Sequence, residues 1–269
     1  MENKPNLRKK KDILVYTLIG GISLCTIIML LWIISYIFIK GWGHVDVIGL
    51  MPAIITTVYM VLMGIVLSTP IGIGTAIYLH EYAKEGKFVN GIRFATECLA
   101  AVPSILFGLF GMMFFVTQLK MGYSLLAGGL TVAIMILPTV VKTTEEALKT
   151  VPNSYREGSL ALGASKFKTI MQVVLPSAIP GILTGIVFST GRIVGETAAI
   201  YLTAGMVFGV PSSIMASGRT LSVHLYILAK EGISLEEAYG TAIILLLVVL
   251  ALNLSSYAIA HKLGKNKQK

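Results

Sequence analysis

Long runs of apolar residues, separated by short polar segments, dominate the pattern of this chain. Most of them approach or exceed the roughly 20 residues that a helix needs to cross a bilayer, which is more than a buried core helix requires. The pattern predicts six membrane-spanning helices, at Ile13–Ile39, within Ile54–Leu79, and at Cys98–Leu119, Met121–Val141, about Ile179–Leu202 and Ala238–Ala260. We therefore expect an all-α membrane protein with six transmembrane helices.

The composition agrees with this pattern and excludes an ordinary soluble enzyme. Hydrophobic residues make up 55% of the 269 residues and charged residues only 13%, whereas a soluble domain carries about a quarter charged residues. The two cysteines, Cys25 and Cys98, lie in or at the edge of apolar runs. They provide neither a disulfide framework nor a metal-ligand cluster, so we interpret both as reduced packing residues.

The distribution of lysine and arginine predicts the orientation in the membrane. The segments on one side, starting with the N-terminal one, contain five, three, five and four Lys and Arg residues, and the segments on the other side contain four in total. Cytoplasmic segments carry the excess of such residues. We expect a multi-pass protein of the cell membrane with both termini cytoplasmic. The formal charge of +9 indicates this orientation and not nucleic-acid binding, because the basic residues do not follow one face.

The predicted organisation has a short tail at each end of a single membrane domain. Residues 1–12 form the N-terminal tail, residues 13–262 the six-span domain, and residues 263–269 the C-terminal tail. Prolines within or at the ends of spans predict kinked helices. Pairs of glycines four residues apart, Gly181 with Gly185 and Gly191 with Gly195, either allow close helix packing or recur by chance in glycine-rich spans.

The predicted cytoplasmic segment Lys142–Ser177 is long enough to form structure of its own. Asn153 or Ser154 can cap a short helix, and Gly163 can end it in the left-handed conformation. A second, amphipathic helix should follow and stop at Pro176. Its apolar face is formed by Phe167, Ile170, Met171 and Val174. From these residues alone, the segment could also be an interfacial helix on anionic lipid.

A fixed spacing in this segment resembles the EAA loop of ATP-binding-cassette (ABC) importer permeases. That loop has the pattern Glu-Ala-Ala, three residues, Gly, nine residues, a branched apolar residue, one residue, Leu-Pro. The matching positions here are Glu157, Gly158, Ser159, Gly163, Val173, Leu175 and Pro176. The departure is Gly158-Ser159 in place of Ala-Ala, which should weaken the short helix because glycine is a poor helix former.

The resemblance extends over nearly the whole chain and implies a type I ABC importer permease. It implies that the loop around Glu157, Gly158 and Gly163, together with Leu175 and Pro176, is a coupling helix that docks into a separate ATPase. The chain contains no Gly-x-x-x-x-Gly-Lys-Ser/Thr phosphate-binding loop. We therefore expect no cofactor and no enzymatic activity in this chain, with ATP and Mg²⁺ bound by the partner ATPase.

Two charged residues, Arg192 and Glu196, interrupt the fifth apolar run. A charge at the centre of a span costs at least about 2.5–3.5 kcal/mol on insertion scales, so each needs compensation. Four residues apart, they would share a helix face and could neutralise each other. Alternatively, Arg192 faces a polar path and binds an anion through its planar fork of donors, with Glu196 orienting the guanidinium.

The surrounding residues resemble a narrower group, the phosphate-specific ABC permeases. The segment Gly191–Ala198 looks like their Arg-x-x-Gly-Glu-Thr stretch, and Leu221–Tyr226 resembles the following outer segment of the subunit called the A component. This resemblance implies import of inorganic phosphate together with a homologous second permease of the C type, two copies of an ATPase and an external phosphate-binding protein. The residues by themselves indicate only a path for anions.

The predicted outer loop before the last span contains further polar residues. Arg219 and His224 lie in it, where Arg219 is a weak candidate for the substrate path and an exposed charge is the simpler interpretation. Ser234 can cap the helix of the last span.

The sequence also bears on other classes of protein and other substrates. Motifs of metalloproteases and serine hydrolases are absent from the sequence. A stand-alone anion carrier is an alternative to the permease, because intramembrane Arg and Glu suit it as well. Permeases for sulfate, molybdate or phosphonate share the coupling motif, so these oxyanions are the next candidates for the substrate after phosphate.

Overall fold

The computed structural model describes the backbone of residues 5–265, and within this range the chain forms helices and turns but no strand. Residues 1–4 and 266–269, which belong to the predicted tails, lie outside the described residues. The remainder of the predicted N-terminal tail, residues 5–12, forms the beginning of the first helix. The expectation of an all-helical protein is confirmed.

Five helices are long and apolar enough to cross a membrane, and a sixth span is reached if one bent helix pair counts as a single span. The long helices, with any π-helical extension, are α1 (Pro5–Gly41), α2 (Met51–Ile77, extended over Tyr78–Tyr82), α5 (Leu125–Lys149), α7 and α8 (Lys166–Thr169 and Leu175–Val194, joined by Ile170–Val174) and α11 (Leu235–Lys265). The shorter ones are α3 (Lys87–Ala101), α4 (Ser104–Gly111, extended over Met112–Gln118), α6 (Asn153–Ala161), α9 (Ala198–Thr203) and α10 (Leu221–Lys230).

The core lies where α5 packs between α2 and α8. Glycines allow this close approach, since a Cβ on Gly72 of α2 would lie 2.6 Å from Val140 of α5. A Cβ on Gly181 of α8 would lie 2.7 Å from Ala147, and one on Gly185 would overlap Thr143. The predicted close packing at this glycine pair is thus confirmed. The other pair, Gly191 and Gly195, meets no neighbouring helix within 4 Å.

The predicted third span, Cys98–Leu119, is not one straight helix. The chain forms α3 and α4 with a bend of 98° between them. The bend falls at Val102, which has an extended conformation (φ −66°, ψ 130°), directly before Pro103. Proline disfavours the helical region for the residue that precedes it, so Pro103 separates the two helices.

The predicted boundaries of the 142–177 segment and of the fifth span need correction. Helix α5 continues to Lys149, and the helix that starts at Lys166 continues through Pro176 to Val194, so only residues 150–165 connect the two spans. Pro176 does not stop the helix, because it follows a π-helical turn at Ile170–Val174. Such a wider turn accommodates a disturbed hydrogen-bond ladder within a continuous helix.

Candidate functional site

Arg192 lies in the last turn of α8 and is only partly buried. Its Nη1 donates to Thr139 Oγ1 of α5 over 3.5 Å, which is the guanidinium's single hydrogen bond among the described residues. A guanidinium has five N–H donors. Most of the donors of Arg192 are therefore available to a ligand, although the residue sits at the end of an apolar helix.

Glu196 does not pair with Arg192, so the predicted shared helix face is wrong. Helix α8 ends at Val194, and Gly195 is its C-cap. Glu196 is only 7% exposed, and its Oε1 accepts a hydrogen bond of 3.0 Å from the backbone N–H of Ala199 in α9. The start of a helix carries free N–H groups and a partial positive charge, which favour a carboxylate at that position.

Arg219 lies between α9 and α10, outside the candidate spans, and its guanidinium is used within the protein. Its Nε donates to the carbonyl oxygen of Met206 over 2.7 Å, and its Nη1 lies 3.3 Å from His224 Nδ1. The guanidinium also lies 5.4 Å from the ring centroid of Phe208, which stacks on His224. Burial and the charge of Arg219 lower the pKa of His224 to about 4, so this histidine is neutral at pH 7.

These three sequence-selected residues do not form one cluster. No hydrogen bond or ion pair among the described residues joins Arg192, Glu196 and Arg219 to one another. Ser222 of α10 connects the regions indirectly, because its hydroxyl donates to the carbonyl oxygen of Glu196 over 2.6 Å. Of the three, Arg192 has the most unused hydrogen-bonding capacity.

The segment between the fourth and fifth spans forms a helix, a glycine turn and a second helix, as predicted. Gly163 has φ +82°, the left-handed conformation that ends α6. The hydroxyls of Ser159 and Thr169 lie 2.9 Å apart and connect α6 to α7. The predicted side-chain cap at Asn153 or Ser154 is wrong, because α6 begins directly after the extended residue Pro152 and has no such cap.

The exposed side of this segment is partly apolar. Glu157 and Gly158 are exposed, and Leu162 has 90% of its surface accessible. Three further apolar side chains are also exposed, namely Tyr155, Leu160 and Phe167. Leu175 and Pro176 lie at the start of α8 and are partly buried. Several exposed apolar side chains on one short connecting segment are a feature of protein interaction sites when they adjoin one another.

Sequence reasoning missed the contacts of Arg156, the residue before Glu157. Its Nη2 lies 2.7 Å from Glu81 Oε1 at the end of α2, in an ion pair whose side chains are 16% and 7% exposed. The same guanidinium donates to the carbonyl oxygens of Leu148 and Val151 at the end of α5. A glutamate at the end of an apolar span was a signal that a cation had to be nearby, but nothing local identified Arg156.

The geometry defines a class of protein: a multi-pass, all-helical membrane protein that presents a short helix between two spans and a partly free arginine at the end of one of them. Residues 68–269 match the family described as binding-protein-dependent transport system inner membrane component, and the chain belongs to this family. It is thus a permease subunit of ABC importers, and the expected type I permease fold is confirmed.

Known proteins of similar sequence agree with this assignment, and a solved structure agrees with the fold. A probable ABC transporter permease, YqgI of Bacillus subtilis, is 31% identical, with 88% of this chain and 92% of that protein covered. The phosphate transport system permease protein PstA 1 of Mycobacterium tuberculosis is 31% identical over 93% of this chain and 88% of that protein. A chain of a bacterial alginate ABC transporter, solved in complex with an alginate pentasaccharide-bound periplasmic protein, has a TM-score of 0.67 at 14% identity, covering 93% of this chain and 96% of that one.

Proposed function

We propose that this chain is one of two homologous permease subunits of an ATP-driven importer of inorganic phosphate. The observation that carries the proposal is the partly buried guanidinium of Arg192, which makes one long hydrogen bond among the described residues. A partly dehydrated guanidinium with free donors binds an oxyanion through two parallel hydrogen bonds. The similarity to a phosphate transport permease supports phosphate as that anion.

In this proposal, the substrate passes between this chain and a second permease of the C type. Arg192 attracts the anion into the path, and Thr139 beside it provides a further polar group. Glu196 accepts a hydrogen bond from the backbone at the start of α9. It therefore positions α9 and does not limit the binding of the anion directly. Arg219 serves the outer end of the path by holding the segment around Met206 and His224.

The energy comes from two copies of an ATPase that bind ATP and Mg²⁺, and this chain itself holds no cofactor. The exposed surface of α6 and the Gly163 turn docks into the ATPase on the cytoplasmic side, where both termini also lie. An external phosphate-binding protein delivers the substrate from the opposite side. The family description and the alginate transporter that was solved with a periplasmic protein support such a partner.

Uptake of labelled phosphate and labelled sulfate tests the proposal, in cells that lack the chain and in cells with it restored. We expect restored phosphate uptake that disappears with an ATPase-inactive partner. Restored sulfate uptake would change the substrate and keep the architecture. Transport that does not need the ATPase would instead support a stand-alone carrier and contradict the proposal.

The Arg192→Gln substitution tests the proposed anion site. A hydrogen bond to a charged group contributes about 1.5–3 kcal/mol, so uptake at limiting phosphate should fall about tenfold or more while the complex still assembles. Lys142→Gln is a matched control, because it removes one positive charge at an exposed position of α5. If uptake by Arg192→Gln were as high as uptake by Lys142→Gln, Arg192 would not contact the substrate.

A further inference from the structure

The guanidinium of Arg156 has an acceptor for each of its five N–H groups. Its Nε and one Nη2 hydrogen donate to Glu81, and the other Nη2 hydrogen donates to the carbonyl oxygen of Leu148. The Nη1 hydrogens donate to the carbonyl oxygen of Val151 and to Asn153 Oδ1. One side chain of α6 thereby contacts the ends of both α2 and α5.

Apart from Arg156, α6 packs against the helical stretch that follows it, namely α7 and the π-helical turn Ile170–Val174. No side chain of α6 is buried. Apart from its covalent connections, it is joined to α7 by the hydroxyl contact between Ser159 and Thr169. Among the described residues, the Arg156 hydrogen bonds are what connects α6 to α2 and α5.

We propose that Arg156 is a positioning residue for energy coupling: it transmits the displacement of α6 to α2 and α5 together. The inference rests on the proposed function, in which the ATPase moves α6. Both carbonyl acceptors belong to the last turn of α5 and its following loop, where free C=O groups favour a cation. If α6 moved away from α2, Arg156 would leave the carboxylate of Glu81 buried without this charged partner.

The conservative variant Arg156→Lys separates positioning from charge. A lysine keeps the positive charge but presents three donors from one point, so it cannot reach the carboxylate and both carbonyls in the fork geometry of arginine. Arg93→Lys is the matched control. Arg93 Nη2 also lies 2.7 Å from a carboxylate that is 9% exposed, that of Glu145, but this pair connects α3 to α5 and does not involve α6.

The experiment measures phosphate uptake and ATP hydrolysis in proteoliposomes that contain the assembled importer. With Arg156→Lys we expect the ATPase to bind and hydrolyse ATP, while the phosphate transported per ATP falls about tenfold, within the range of ordinary coupling free energies. Arg93→Lys should leave this ratio unchanged. An unchanged ratio in Arg156→Lys would overturn the inference, and so would an equal loss in Arg93→Lys.

A second variant keeps the test decisive if Arg156→Lys does not assemble. Glu81→Gln removes the charge of the partner and retains an oxygen acceptor, so the expected result is a smaller loss in phosphate transported per ATP. A ratio like that of the wild type would also overturn the inference. Failure of the proposed function is distinguishable, because the wild-type complex would then show no ATP-dependent phosphate uptake.

Discussion

Arg156 and Arg192 differ in how much of their hydrogen-bonding capacity the protein itself uses. Arg156 donates to acceptors at the ends of α2 and α5 and to Asn153 of its own helix, and it pairs with a buried carboxylate. Arg192 has one hydrogen bond of 3.5 Å among the described residues. A guanidinium whose donors are all occupied fixes the elements around it, whereas one with free donors at the end of a span is suited to a mobile anion. Both lie near apolar spans, so sequence context alone does not separate these roles.

Arg156→Met has the largest expected effect on stability, and it tests the structural role of Arg156 in this comparison. Removing one partner of a buried ion pair leaves the other charge uncompensated, so the free energy of unfolding should fall by about 3–5 kcal/mol. The measurement is unfolding of the purified protein by sodium dodecyl sulfate in mixed micelles. The double variant Arg156→Met/Glu81→Leu should regain much of the loss. A loss below about 1 kcal/mol in the single variant would contradict a structural role of the Arg156–Glu81 pair in holding these helices together.

Glu196→Ala should lower the free energy of unfolding by less than Arg156→Met does. This variant tests whether the two buried glutamates, Glu81 and Glu196, have different roles. Glu81 neutralises an arginine, whereas Glu196 accepts the backbone N–H of Ala199 at the start of α9. Loss of such an N-terminal acceptor costs about 1–2 kcal/mol. Unfolding in the same micelles measures this loss. Glu196→Gln, which keeps an oxygen acceptor, should cost less, and an equal cost would show that the charge contributes more than the hydrogen bond does.

The two glycines of the α6 segment should respond with opposite signs. Gly163 has φ +82° and no neighbour within 4 Å of a Cβ, so Gly163→Ala should cost about 1–2 kcal/mol from backbone conformation alone. Gly158 lies within α6, also without a close neighbour, and Gly158→Ala should stabilise by about 0.5–1 kcal/mol. Thermal unfolding of both variants checks the signs. A destabilising Gly158→Ala would show that α6 packs more closely than the structure indicates.

The smallest effect on stability is expected for Arg192→Met. Its single long hydrogen bond to Thr139 contributes little, so the free energy of unfolding should change by less than about 1 kcal/mol. Uptake should nevertheless fall as it does in Arg192→Gln. A loss of stability comparable to that of Arg156→Met would mean that Arg192 also holds helices together, and the comparison would then fail.

The sequence predicted the elements that local patterns encode. The apolar runs identified the spans, the spacing around Gly163 identified the helix turn, and Ser234 caps α11 as predicted, with the N–H of Glu237 donating to its hydroxyl. The end of α8 was missed because only three residues separate it from the equally apolar α9. The Arg156 contact was missed because Glu81 is 75 residues away in the sequence, and no periodicity reports such a pair.

The continuous helix from Lys166 to Val194 has a mechanical consequence. It begins three residues after the Gly163 turn and contains Arg192 in its last turn. At 1.5 Å per residue, about 40 Å of continuous helix therefore connects the two ends. A tilt of the whole helix by about 5° about one end would displace the other end by about 3.5 Å, roughly the length of one hydrogen bond. In the proposed function, a displacement at the Gly163 turn would therefore reach Arg192 without a chain of intermediate contacts, because the same helix backbone connects the two.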